Sequence, residues 1–199
     1  MNYINNHIIR KKKKFSDISI RTVEKILSKY RLFTKAYTYF FRKMTIDEFK
    51  MVDIPNGSKV VNIGCGPIPH TLLILAEVND WTFLGIDKDK FAVEIAKEMV
   101  EYYHLSNKIE IRWDEGMKFD VSGFDLIIVS YGVEPKLKIL EKLGDNMDKN
   151  SMILYRTTWD TLDRVYGDEP IPKNLEIKDS YDRIDGIKAF LLIRSKKNK

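Results

Sequence analysis

The stretch Ser58-Lys-Val-Val-Asn-Ile-Gly-Cys-Gly-Pro-Ile-Pro-His70 decides how the rest of the chain is read. Val60, Val61 and Ile63 are β-branched, suit a buried parallel strand, and follow a turn signal at Asn56-Gly57. The strand is expected to start near Ser58 and to stop at Gly64. Gly64 and Gly66 remove side chains where the backbone must turn sharply. Pro69 presets φ at the start of a helix that carries Thr71-Leu-Leu-Ile-Leu-Ala76. A strand, a bare turn and the positive end of a helix together predict a ligand-binding loop.

Downstream the chain alternates between the two periods. Trp81-Thr-Phe-Leu-Gly-Ile-Asp87 reads as a second strand, and residues 90–103 as a helix with Ala92, Ile95, Ala96, Met99 and Tyr103 on its inner side. Residues 108–113 and 124–130 are expected as strands, 135–147 as a helix and 151–156 as a fifth strand. An irregular or helical stretch to about Gly167 and the connector Pro170-Ile-Pro172 follow. Residues 174–178 and 189–194, separated by a polar segment, predict a closing antiparallel pair. Strand–helix alternation implies an α/β fold, doubly wound around a mostly parallel sheet.

Upstream, the chain changes character. Residues 1–50 carry 13 Lys/Arg against 4 Asp/Glu, whereas residues 51–199 carry 21 against 25. The positive charge therefore belongs to a basic N-terminal tail and helical extension, residues 1–54, and residues 55–199 form a mildly acidic α/β domain. Contact of Arg10-Lys-Lys-Lys-Lys14 with nucleic acid or an anionic membrane is less favoured than a solvated terminal run. From Ser16, read as an N-cap, apolar residues recur every three or four positions to Met44. Thr45-Ile-Asp-Glu48 has the form of a capping box opening another short helix. Such a segment is expected to pack on the α/β body as a lid over the ligand loop, with Tyr30, Tyr37 and Tyr39 read as packing aromatics.

The single cysteine, Cys65, excludes an internal disulfide, and histidines at 7, 70 and 104 lack metal-ligand spacing, so no metal is expected. With no apolar run of membrane-spanning length, the reading is of a cytoplasmic protein.

In a doubly wound sheet, ligands bind outside the carboxyl ends of the strands, where strand order switches. The first strand delivers Gly64-Cys65-Gly66-Pro67, the second Asp87 and Lys88, the third Asp114 and Glu115, the fourth Ser130-Tyr131-Gly132, and the fifth Arg156. Asp87 follows Gly64 at a separation suited to binding ribose hydroxyls. A dinucleotide loop wants a third glycine where this chain has Pro69, which argues against NAD. Tyr131, Glu134 and Arg156 are the candidates for acceptor contact, Arg156 through a bidentate pair with a substrate carboxylate; comparable structural roles are packing for Tyr131, a cap on the next helix for Glu134 and a bridge to a surface acid for Arg156. His70 reads as a surface or packing histidine, and Cys65 as a buried filler.

On these residues the chain resembles the class I S-adenosylmethionine-dependent methyltransferases over roughly residues 55–195. Val60-Val-Asn-Ile-Gly-Cys-Gly-Pro67 looks like their first motif, Leu84-Gly-Ile-Asp87 their second, and Phe124-Asp-Leu-Ile-Ile-Val129 their fourth strand. The resemblance implies seven strands, the last antiparallel, and S-adenosylmethionine as cofactor. Gly64 and Gly66 would line its methionine part, with Cys65, Pro67, Lys88, Glu115 and Ser130 around it; Asp87 would hold the ribose and Asp114 would neighbour the adenine. Gly64-Cys-Gly-Pro-Ile-Pro-His-Thr71 and Leu154-Tyr-Arg-Thr157 are further similar to the Gly-x-Gly-Pro-Leu-Pro-x-Thr and Leu-Arg-Ser motifs of nicotianamine synthases. Those enzymes transfer the aminocarboxypropyl group instead of methyl. The leading expectation is methyl transfer to a small molecule. Aminocarboxypropyl transfer is the alternative, and a non-catalytic cofactor-binding protein with a basic tail is a third reading.

Overall fold

The computed structural model describes residues 31–158 and 171–196. The basic run 10–14, the Ser16 cap, Tyr30 and the stretch expected to run to Gly167 lie outside the described residues. Helix α1 spans Arg31–Phe49. There follow β1 (Lys59–Ile63), α2 (His70–Val78), β2 (Thr82–Asp87), α3 (Lys90–Tyr102), β3 (Ile109–Trp113), β4 (Leu126–Val129), α4 (Lys136–Asn146), β5 (Met152–Thr158), β6 (Leu175–Asp182) and β7 (Ile187–Arg194).

The seven strands are ordered β3-β2-β1-β4-β5-β7-β6. Only β7 runs against its neighbours, inserted between β5 and β6. Because side chains alternate along a strand, each central strand feeds two cores. Val60, Leu126, Ile128 and Leu154 face α2 and α3, through Leu72, Leu73, Val93 and Val100. Val61, Ile63, Ile127, Val129 and Ile153 face α4, through Ile139, Leu140 and Leu143. Central strands buried on both faces therefore read as continuous apolar runs.

In α2, every residue from Thr71 to Ala76 is buried, which a surface helix could not tolerate. The reason is α1, which packs over the side of α2 that the sheet does not cover. Here the structure corrects one expectation: Thr45-Ile-Asp-Glu48 does not open a new helix but continues α1 to Phe49. A capping box needs the Glu48 carboxylate to reach back to the Thr45 backbone. Two guanidinium groups hold it instead, and the Thr45 hydroxyl is buried without a partner among the described residues.

The closing hairpin is longer than the apolar pattern predicts. β6 is an edge strand bonded only to β7, so exposed Lys178, Asp179 and Asp182 sit within it and guard the edge. A register shift between Ile177 and Asp179 breaks the alternation further. No helix among the described residues is long and apolar enough to cross a membrane.

Candidate functional site

Strand register brings the chemistry to one edge. Ile63 pairs with Ile86 on one side and with Val129 on the other, so Gly64, Asp87 and Ser130 emerge side by side. Asp87 in turn pairs with Trp113, which places Asp114 next along. The neighbours of β1 leave in opposite directions, the switch point at which a crevice opens. That crevice is a cavity of about 780 Å³, within the usual range for a small-molecule site.

The loop after β1 is built by positive φ. Gly64 has φ 76° and Gly66 φ 68°, values that side-chain-bearing residues seldom adopt. A Cβ on Gly64 would stand 2.5 Å from Val133 Cγ2, whereas one on Gly66 would meet nothing within 4 Å and would project into open space. The amides of Gly64 and Cys65 both donate to the Ile86 carbonyl, at 2.8 and 3.1 Å. The Gly66 amide donates to Asp87 Oδ2 at 3.0 Å, and the Asp89 amide donates to Oδ1 at 2.9 Å. Asp87 is thus held by backbone, with further lone pairs on each oxygen.

The other expected residues line the same cleft. Pro67 and Lys88 line the cleft, and the Lys88 carbonyl accepts from Trp113 Nε1 at 3.0 Å. Asp114 and Glu115 line it too, Asp114 Oδ1 accepting from the Glu115 amide at 2.7 Å. Ser130 Oγ accepts from Asn62 Nδ2 at 2.8 Å, which explains a buried asparagine in an otherwise apolar strand. Tyr131 lies 4.8 Å below Lys136 Nζ, and Glu134 Oε2 accepts from the Lys136 amide at 3.4 Å, at the start of α4. Cys65 is buried, and burial together with Asp87 pushes its thiol pKa up, so it is not poised as a thiolate.

For Arg156 the expectation needs correction. The carboxylate it grips in bidentate form is the protein's own Glu48, Nε to Oε1 at 2.8 Å and Nη2 to Oε2 at 2.7 Å, while Nη1 donates to Thr71 Oγ1 at 2.9 Å. Glu48 Oε2 also accepts from Arg183 Nη1 at 3.1 Å, and Arg183 grips Asp185 through Nε and Nη2. Burial alone would lower the Arg183 pKa, but Asp185 and Glu48 outweigh it and the net shift is upward. This string of alternating charge ties α1, β5 and the β6–β7 turn together, with Arg156, Arg183 and Asp185 lining the cleft.

Glu48, Arg183 and Asp185 were not singled out in the sequence. Glu48 did leave a signal: it falls seven residues after Phe41 and four after Met44, a lone acid on the apolar stripe of α1. Arg183 and Asp185 left none, being charged residues in a charged turn.

Of the two readings of His70, surface or packing, the contacts support packing. It packs against Tyr37 (ring centroids 5.3 Å apart) and Phe41 (4.9 Å), and all three line the cleft. Tyr39, by contrast, is 81% exposed. Burial, then the charges of Arg156 and Arg183, lower the His70 pKa from 6.5 to about 3. Between those values the unfolded chain binds a proton that the folded chain refuses, so stability is lost as pH falls. The slope approaches about 1.4 kcal/mol per pH unit. Denaturant unfolding at pH 7 and pH 5 should show a loss of about 2 kcal/mol in the native protein that His70→Leu lacks. An equal loss in both proteins would rule out a half-buried imidazole held neutral.

Comparison with known proteins gives this arrangement a family. The fold is shared with a glutamate-to-glutamine mutant of MtNAS in complex with S-adenosylmethionine (TM-score 0.78, 16% identity, covering 95% of this chain and 77% of that one). It is shared also with an RNA methyltransferase from Salinibacter ruber in complex with S-adenosyl-L-homocysteine (TM-score 0.62, 13% identity, 79% and 94% covered). L-histidine 2-aminobutanoyltransferase of Yersinia pestis is 26% identical over 123 residues, which is 62% of this chain and 46% of that protein, so the chain spans about half the length of this curated relative. The family described as nicotianamine synthase protein matches residues 12–186, a span that includes α1, the glycine loop and the whole Glu48–Arg156–Arg183 string. The chain belongs to the nicotianamine synthase family.

Proposed function

We propose that the chain uses S-adenosylmethionine to transfer an aminocarboxypropyl group to the amino nitrogen of a small acceptor, an amino acid. Family membership over residues 12–186, with the Gly64–Thr71 string at the mouth of the cleft, is the observation that carries this reading. The name of the Yersinia pestis relative supports the same class of transfer. Methyl transfer, the leading expectation, has the shared fold behind it: the RNA methyltransferase is 13% identical, whereas the nicotianamine synthase family matches residues 12–186.

The residues fit the cofactor. Asp87, pinned by two amides, keeps lone pairs for vicinal hydroxyls, and the open space beside Gly66 leaves room where a side chain would intrude. Asp114 and Glu115 lie beyond Asp87, where a purine amino group would find an acceptor. When bound, the cofactor supplies an electrophilic carbon attached to a sulfonium.

The chain's own residues have to orient an amine in line with that carbon and take its proton. Glu134 lines the cleft, as Tyr131 does, with its Oε2 accepting from the Lys136 amide, and in this reading it is the carboxylate that takes the proton. Arg156 acts through Glu48 and Thr71, fixing α1 and α2 around the acceptor.

The by-product decides between the chemistries. Incubation with S-adenosylmethionine and a mixture of L-amino acids, followed by mass spectrometry, is expected to yield methylthioadenosine. Accumulation of S-adenosylhomocysteine instead would return the assignment to methyl transfer.

A further inference from the structure

β3 is one edge of the sheet and pairs only with β2. In a parallel ladder, alternate residues turn both backbone groups toward the neighbouring strand. The Phe83 amide donates to the Lys108 carbonyl and the Asp114 amide to the Asp87 carbonyl, so residues 108, 110, 112 and 114 face β2. Ile109, Ile111 and Trp113 therefore turn theirs outward. The Ile109 amide is taken by the Leu105 carbonyl at 2.9 Å; among the described residues nothing pairs with the amides of Ile111 and Trp113 or with the carbonyls of Ile109 and Ile111.

The two edges of the sheet differ. β6 carries a register shift and several exposed charges, devices that discourage an incoming strand. β3 keeps an unbroken register with β2 from Ile109 to Trp113 and holds neither proline nor glycine. Its only charges, Glu110 and Arg112, lie on the same side, joined at 2.8 Å, and line an open groove of about 620 Å³.

Those charges sit symmetrically about Ile111, the middle residue of the strand. When β3 meets a second β3 antiparallel, with the twofold axis at Ile111, each outward group finds a mate. The Ile111 amide of each copy donates to the Ile111 carbonyl of the other, and the Trp113 amide to the Ile109 carbonyl. The same register sets Glu110 of each copy opposite Arg112 of the other, in the non-hydrogen-bonded pairs where cross-strand side chains stand closest. Half-exposed Trp113, with Lys90 Nζ 4.6 Å from its ring centroid, comes beside Ile109 of the second copy. The strand is its own complement in both hydrogen bonding and charge.

We propose that β3 is the contact through which two copies of this chain join into one continuous sheet. The inference stands apart from the transfer reading. Because the paired strands run in opposite directions, the two clefts open at opposite ends of the joint sheet, and pairing braces the strand that carries Asp114 into each cleft. A pair of five-residue strands buries less than the roughly 1,200 Å² of a standard interface, so the dimer is expected to be weak, with Kd on the order of 10–100 μM.

Sedimentation equilibrium of the full chain from about 5 to about 500 μM tests this, with the native mass expected to climb from one chain toward two. Glu110→Arg and Arg112→Glu each set like charges opposite one another and should weaken association at least about tenfold. Mixed in equal amounts, the two variants present only opposite charges across the axis and should associate as the native chain does. A native chain that stays monomeric at about 500 μM would overturn the proposal. So would a dimer indifferent to either reversal, which would place the contact on another surface, or a mixture that fails to associate. Both positions are exposed, and circular dichroism checks that each variant keeps the fold. Should a reversal disturb it, chains carrying Glu110→Cys and Arg112→Cys take its place: mixed, they are expected to form a disulfide across the axis, and neither is expected to do so alone, since Cys65 is buried. Absence of that cross-link in the mixture would equally overturn the pairing.

Discussion

Replacing Glu48 by alanine is expected to cost about 3–5 kcal/mol of folding stability, because it strands two buried guanidinium groups without their shared carboxylate. Arg156 and Arg183 are 5% and 1% exposed at the side chain and Glu48 is sealed, so water cannot enter to replace the lost partner. The loss should fall on the junction of α1 with the sheet, and denaturant unfolding followed by circular dichroism would measure it. A control change at the exposed Glu94–Lys97 pair is expected to stay within about 0.5 kcal/mol. Stability of Glu48→Ala within about 1 kcal/mol of the native protein would mean that the string does not anchor α1.

Replacing Asp87 by alanine is expected to weaken binding of the proposed cofactor about a hundredfold or more. The substitution removes a charged acceptor for the ribose hydroxyls, each such bond contributing about 1.5–3 kcal/mol. It also releases the Gly66 and Asp89 amides, which the carboxylate holds in place, so the loop loses its shape as well as its ligand contact. Calorimetric titration with S-adenosylhomocysteine would read the effect. An affinity within about threefold of native would remove Asp87 from the cofactor site.

The Gly64–Asp87 end of the cleft was legible in the sequence because backbone geometry writes it there. Gly64 and Gly66 must be glycine at their φ values, the strands must be apolar on both faces, and Asp87 must follow the second strand. Each demand acts over a few residues and leaves a local pattern. The end built on Glu48, Arg156 and Arg183 was not legible, because its order comes from pairs distant in sequence. Nothing near Arg156 says that its carboxylate partner lies in α1, and nothing near Thr45 says that a capping box will be overruled by arginines from β5 and the β6–β7 turn. His70 was left between two readings, surface or packing, for a related reason: a helix N-terminus predicts an exposed side chain only when no second helix covers it, and here Tyr37 and Phe41 of α1 do. The closing hairpin was found but cut short, since an edge strand held by backbone pairing has no apolar alternation to display.

The insertion of β7 between β5 and β6 also bears on how the molecule assembles. β1 to β4 and their helices lie within about seventy residues of one another and reward contact early, whereas Glu48 meets Arg156 and Arg183 across 108 and 135 residues. During synthesis β5 leaves the ribosome with one edge unpaired and must wait for residues 187–194 to fill it. The two ends of the cleft thus mature at different times: the half built on β1 to β4 closes on itself, and the half that holds Glu48, Arg156 and Arg183 is finished only once residues 187–194 have been made.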